Sequence, residues 1–167
     1  MKKWITLFLG LICILSLAGC MNREIDTENT ITQEESQLRQ TATYSFFGEN
    51  EYIQITDGSI VISDKNEIFD GGELEILQSE LFENVTSYCM TFYTLRSNGE
   101  RNEFHVVNAT GVTDGATAIS GRLGGCSGNG FIIVNLEQGL WFELITTDSD
   151  GSENVYQLEL TLSENDV

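Results

Sequence analysis

Polar and apolar positions alternate with a period of two along much of this chain, the pattern of strands that bury one face. Tyr156, Leu158, Leu160 and Leu162 interleave with Gln157, Glu159, Thr161 and Ser163. Leu140, Phe142 and Leu144 interleave in the same way with Trp141, Glu143 and Ile145. Asp148-Ser149-Asp150-Gly151 separates the two segments. A three-residue loop, Ser149-Asp150-Gly151, puts glycine at its last, left-handed position. It pairs Leu144 with Tyr156, Phe142 with Leu158 and Leu140 with Leu160. A two- or four-residue loop would turn Phe142 away from the leucines and bring Trp141 to their face.

Other segments predict further strands. Tyr52–Thr56 and Ser59–Ser63 flank Asp57-Gly58, which favours a two-residue type I′ turn. That hairpin pairs Ile55 with Ile60 and Ile53 with Ile62, placing four isoleucines on one face. Gly71-Gly72 breaks the next segment, after which Leu74 and Ile76 alternate. Tyr88–Ser97 and Glu100–Val107 flank Asn98-Gly99 and read as a second type I′ hairpin, with His105 opposite Phe92. One face carries Cys89, Thr91, Tyr93, Leu95, Phe104 and Val106, and the other Tyr88, Met90, Phe92, His105 and Val107. Apolar residues on both faces predict a central pair covered on both sides. Phe131–Leu136 reads as one more strand, and no segment predicts a long helix. The expected fold is all-β, an antiparallel, jelly-roll-like β-sandwich over residues 43–167.

The residues before the sandwich have another character. Lys2 and Lys3 precede an apolar run, Trp4 to Leu17, that is shorter than the ~20 residues needed to span a bilayer and fits a signal peptide. The run ends in Leu17-Ala18-Gly19-Cys20. This resembles the lipobox of bacterial lipoproteins, in which the cysteine thiol is acylated and the chain is cut just before it. The resemblance implies a signal peptide over 1–19, a lipidated Cys20, a membrane as partner through the acyl chains, and an extracytoplasmic location at the cell membrane. Two acyl chains suffice for stable anchoring. Residues 20–42 then read as a flexible tether, rich in Glu, Gln, Thr and Asn. Phe69-Asp70-Gly71-Gly72-Glu73-Leu74 and Asn154-Val155-Tyr156-Gln157-Leu158 resemble segments of Gram-positive lipoproteins that carry no assigned activity, so this likeness implies a setting and no reaction.

Charge narrows the partners. The chain has 26 acidic and 8 basic residues, a formal charge of −18, which becomes −20 when Lys2 and Lys3 leave with the leader. Without a basic patch, nucleic acid is excluded as a partner. Anionic headgroups repel the body, so the anchor holds it while the domain stands off the surface.

Candidate chemistry is sparse. Once Cys20 is lipidated and Cys13 removed, Cys89 and Cys126 are the remaining thiols, either bridged, as an oxidising compartment permits, or buried and free. Gly124-Gly125-Cys126-Ser127-Gly128 mimics a nucleophile elbow, but an elbow needs a strand-to-helix turn and a positioned base. His105 is the only histidine, and it reads as a packed or rim residue. The glycine-rich stretch 121–130 reads as a loop between strands; a phosphate cradle would need a helix after it. Asp148, Asp150 and Glu153 resemble part of a calcium loop but lack the other ligands, so neither a metal nor a cofactor is expected. Asn84-Val85-Thr86 and Asn108-Ala109-Thr110 match the glycosylation sequon and carry no weight in a bacterial lipoprotein.

Trp141 is the one residue that suggests a ligand. In the register above it lies opposite Glu159, with Glu143 and Gln157 beside it, on the polar face. A tryptophan among carboxylates and amides suits stacking on a sugar ring; alternatively the tether or a loop covers it. The expected function is an anchored binding module for glycans or cell-wall polymers, without catalysis. The alternative is a structural or assembly component that contacts envelope proteins, and a cysteine-dependent enzyme ranks last.

Overall fold

The computed structural model describes residues 42–129 and 136–165. Cys20, the leader, residues 20–41 of the tether and residues 131–135 of the expected strand lie outside the described residues. The described chain forms ten strands: β1 (Ala42–Glu49), β2 (Ile53–Ser63), β3 (Asn66–Asp70), β4 (Glu73–Ile76), β5 (Val85–Leu95), β6 (Arg101–Thr110), β7 (Gly121–Arg122), β8 (Gly125–Gly128), β9 (Leu140–Asp148) and β10 (Glu153–Asn165). A five-residue helix, α1 (Gly115–Ile119), and two 3-10 turns complete it. No described helix is long and apolar enough to cross a membrane.

All pairings are antiparallel. The strands form one sheet in the order β6-β5-β9-β10-β1-β2-β3-β8, with β4 on β2 and β7 on β4. The sheet curls on itself, nearly closing into a barrel-like sandwich, so the fold is the expected antiparallel all-β one. Strand β10 makes this possible. Its first part, Glu153–Leu160, pairs with β9, and its last part, Thr161–Asn165, pairs with β1. One alternating strand thereby supplies Tyr156, Leu158 and Leu160 to a core that runs through both layers. Phe46 and Phe69 from one layer meet Phe92 and Phe142 from the other, with Phe69–Phe92 centroids 4.8 Å apart and Phe92–Phe142 centroids 4.9 Å apart.

The β9–β10 hairpin has the expected register. Leu144 faces Tyr156, Phe142 faces Leu158, and Trp141 faces Glu159. Gly151 has φ of 86°, and its N–H donates to the Asp148 carbonyl at 2.9 Å.

The Asp57-Gly58 hairpin does not form. Residues 53–63 are one strand, with Asp57 as a bulge residue at φ of 57°. Opposite it the β1–β2 register slips between Phe46, which pairs with Gly58, and Gly48, which pairs with Ile55. The isoleucine pattern is the same for both solutions. Ile55 and Ile60 are an odd number of residues apart, so a regular strand would point them to opposite faces. One extra bulged residue restores the parity, and Ile53, Ile55 and Ile60 are fully buried. Gly58 is needed for space, since a Cβ there would stand 2.1 Å from the Phe46 ring. The true turn is Asp64-Lys65, closed by Ser63 pairing with Asn66.

The β5–β6 hairpin also departs from the type I′ reading. Its loop is Ser97-Asn98-Gly99, with Gly99 at φ of 82° and Arg96 N–H donating to the Glu100 carbonyl at 2.8 Å. A bulge then shifts the register between Tyr93↔Glu103 and Phe92↔His105. The two departures cancel, so His105 still faces Phe92. The bulge turns both Phe104 and His105 towards the core, where their rings lie 5.0 and 5.4 Å from Phe69. Phe104 therefore leaves the face on which the alternation placed it. Strand β5 is central and buried on both faces, while β6 is an edge strand.

The glycine-rich stretch is not a loop. It supplies β7 and β8, which pair with β4 and β3.

Candidate functional site

The expected ligand residues do come together. On the outer face of the β6-β5-β9-β10 layer, register puts Glu103, Tyr93, Trp141 and Glu159 in one cross-strand row. The next row holds Val106, Thr91, Glu143 and Gln157. Their neighbours Phe92, Phe142 and Leu158 point inward to the core, so strand alternation alone presents this set outward.

Glu143 is the polar centre. Arg101 reaches it with two parallel hydrogen bonds, Nη1 to Oε1 at 2.8 Å and Nη2 to Oε2 at 2.5 Å. Gln157 Nε2 donates to Oε2 at 2.5 Å. The Arg101 guanidinium and the Gln157 amide hold the Glu143 carboxyl below the usual carboxylate range, against the opposing effect of burial. Arg101 is correspondingly raised, first by its bonds to Glu143. The guanidinium carbon also sits 4.1 Å from the centroid of the Tyr93 ring, within cation–π range. Tyr93 also stacks with Trp141, the rings nearly parallel at 16° and the centroids 6.3 Å apart.

Trp141 is half-buried. Its indole nitrogen is fully buried, yet has no hydrogen-bond partner among the described residues. A Cβ added to Gly139 would stand 3.1 Å from that nitrogen and 3.7 Å from Glu159 Oε1. The bare glycine thus lets the backbone pack closely against the indole edge, with Glu159 nearby. Glu159, Gln157 and Glu103 are exposed.

Sequence reasoning missed Tyr93, Arg101 and Glu103. The signal for Arg101 was scarcity. Among the described residues all three arginines are ion-paired, Arg96 to Glu100, Arg101 to Glu143 and Arg122 to Asp70. In so acidic a chain each described arginine finds a carboxylate, and Arg101's partner Glu143 is the most buried of the three.

The other candidates are used elsewhere. Cys89 and Cys126 are not bridged; both are free. Cys89 faces outward on β5 with its sulfur 3.7 Å from Thr91 Oγ1. Cys126 packs against the core from β8, its sulfur 3.8 Å from the Phe104 carbonyl. The two side chains thus lie on opposite faces of the β5 layer. Burial pushes the Cys126 thiol up, the reverse of what an activated nucleophile needs. His105 Nε2 bonds to the Leu123 carbonyl at 3.0 Å. Asp150 accepts from Ser152 N–H at 2.9 Å and from its hydroxyl at 2.7 Å, while Asp148 Oδ2 accepts from Asn154 at 3.3 Å. These carboxylates shape the turn, and no described group of three metal-ligating side chains converges.

What fold and site define is an antiparallel β-sandwich with an aromatic and carboxylate cluster on one outer face. The chain matches no protein-family model, no curated protein and no solved structure.

Proposed function

We propose that this protein is a lipid-anchored, extracytoplasmic module that binds a glycan or cell-wall polymer on the outer face of its β6-β5-β9-β10 layer. Trp141 is the stacking residue, and Glu143, Gln157 and Glu159 form its polar surround. The observation that carries this reading is the indole of Trp141. It lies on a polar face, with its N–H unpartnered among the described residues. Its neighbours Gln157 and Glu159 are exposed on the same face and able to orient a sugar stacked on the ring. Tyr93 stacks on the indole and is itself held by Arg101, so the surface is organised before a ligand arrives. The lipobox-like Leu17-Ala18-Gly19-Cys20 supports the anchor and the location.

The test is co-sedimentation of the unlipidated domain with insoluble cell-wall polymer, alongside tryptophan emission. Binding should fall at least about tenfold in Trp141→Ala, in keeping with the loss of one aromatic anchor. Undiminished binding by that variant would remove Trp141 from the site.

A structural or assembly component is the second reading. It draws on Phe47 and Val155, 54% and 57% exposed on β1 and β10. Lone exposed apolar residues are ordinary on protein surfaces, so the glycan reading is preferred.

A further inference from the structure

We infer that the Trp141 face selects glycans bearing free amino groups over N-acetylated or anionic ones. This rests on the binding reading above and names its ligand class.

The argument begins with charge. The row Glu103–Tyr93–Trp141–Glu159 is a pair of stacked rings with an exposed carboxylate at either end, roughly 14 Å apart at ordinary strand spacing. Glu143 lies in the next row, where Arg101 neutralises it. Arg101 is thereby spent, and Glu103 and Glu159 leave the face with net negative charge. An anionic polymer brought to Trp141 would meet those two carboxylates as well as the field of a body that carries −18 overall.

The second part is that the face already binds a cation of its own. The Arg101 guanidinium lies over the Tyr93 ring at 4.1 Å and closes on the Glu143 carboxylate. Ring and carboxylate from neighbouring strands together make a cation seat. Trp141 and Glu159 repeat these components one strand further along, as direct cross-strand partners. Tryptophan is the strongest of the aromatic cation acceptors. Among the described residues no arginine supplies the cation here, since all three are paired elsewhere.

The third part is the polar surround. A cationic peptide would satisfy the ring and the carboxylate but brings no hydroxyls at a fixed distance from its amine. An amino sugar carries an ammonium and neighbouring hydroxyls on one ring. The ammonium faces Glu159 and the Trp141 ring, and the hydroxyls meet the amide of Gln157, exposed two residues from Glu159 on the same face of β10.

The test compares three probes by Trp141 emission: a chitosan oligosaccharide, the fully N-acetylated oligosaccharide of equal length, and an oligolysine of equal charge. The chitosan oligosaccharide should bind about tenfold tighter than the acetylated one, the combined effect of one cation–π contact and one surface ion pair. Glu159→Gln, a change at an exposed position, should weaken chitosan binding about 3- to 5-fold more than it weakens binding of the acetylated probe. Equal binding of both oligosaccharides would overturn amine selection while leaving glycan binding standing. Oligolysine binding as tight as chitosan, indifferent to Glu159→Gln, would mean attraction to the acidic body alone and would overturn the inference too. If neither oligosaccharide alters Trp141 emission, the underlying binding reading fails with it.

Discussion

Glu143 shows how one residue organises a face. Its side chain is 9% exposed and accepts three hydrogen bonds, two from Arg101 and one from Gln157. Arg101 itself is half open to water, so the pair is worth less than a fully buried one. Arg101→Ala should still destabilise the domain, by roughly 1–3 kcal/mol, because it leaves a buried carboxylate without two of its three donors; urea denaturation would measure this. Acid should act on the same bond. Arg101 and Gln157 lower the Glu143 pKa in the folded state, below its ordinary value of 4.5. A carboxyl lowered in this way stabilises in full above its unfolded pKa and loses that contribution as pH falls through the folded value. Stability should therefore drop below about pH 4.5, and Glu143→Gln should show a smaller drop between pH 5 and pH 2 than the parent. An equal drop in both would show that other carboxyls dominate. Trp141 and its polar neighbours were legible in the sequence because the register of β9 and β10 was. Tyr93, Arg101 and Glu103 were not, since they reach the site across strand pairings far apart in the chain.

At the level of elements, the β5–β6 and β9–β10 hairpins share one loop design. Ser97-Asn98-Gly99 and Ser149-Asp150-Gly151 each end in a glycine at positive φ. In each, the middle side chain accepts from the backbone N–H two residues on, Asn98 from Glu100 at 3.0 Å and Asp150 from Ser152 at 2.9 Å. The sequence signal was the same in both. It was legible at β9–β10, where two clean alternating strands fixed the register. It was masked at β5–β6, where the bulge at Phe104 blurs the alternation. Asp57-Gly58 was misread for a third reason. A type I′ turn and this bulge both use a positive φ at Asp57 and both leave Ile55 and Ile60 on one face, so the isoleucine pattern cannot separate them. Pairing with β1 and β3 decides it. Two substitutions test the bulge. Gly58→Ala drives a methyl into the Phe46 ring and should cost about 1–3 kcal/mol or more, the usual range for overpacking. Asp57→Gly relieves a left-handed backbone and should be neutral or gain up to about 1 kcal/mol. A tolerated Gly58→Ala, read from thermal unfolding, would contradict the close approach of β1.

For the molecule as a whole, a curled sheet without a disulfide must rely on its core. Five phenylalanines, Phe46, Phe69, Phe82, Phe92 and Phe142, are essentially inaccessible to water. With Cys89 and Cys126 on opposite faces of a layer, the denatured, unreduced domain should take up two equivalents of an alkylating agent, measured by intact mass. One unreactive pair would show a bridge. The anchor is tested on membrane-extracted protein, where the mass should include acyl chains on Cys20.

The claim that the Trp141 face binds a ligand is tested most directly by one nuclear magnetic resonance signal. Trp4 and Trp141 are the only tryptophans, so a domain that begins after the leader has a single indole N–H resonance. Titration with an amine-bearing oligosaccharide should move that resonance in a saturable way, as the sugar settles on the ring that carries it. The same titration on Glu159→Gln should require several-fold more ligand. An indole resonance that stays in place throughout, while the sugar is shown to bind elsewhere or not at all, would contradict the account.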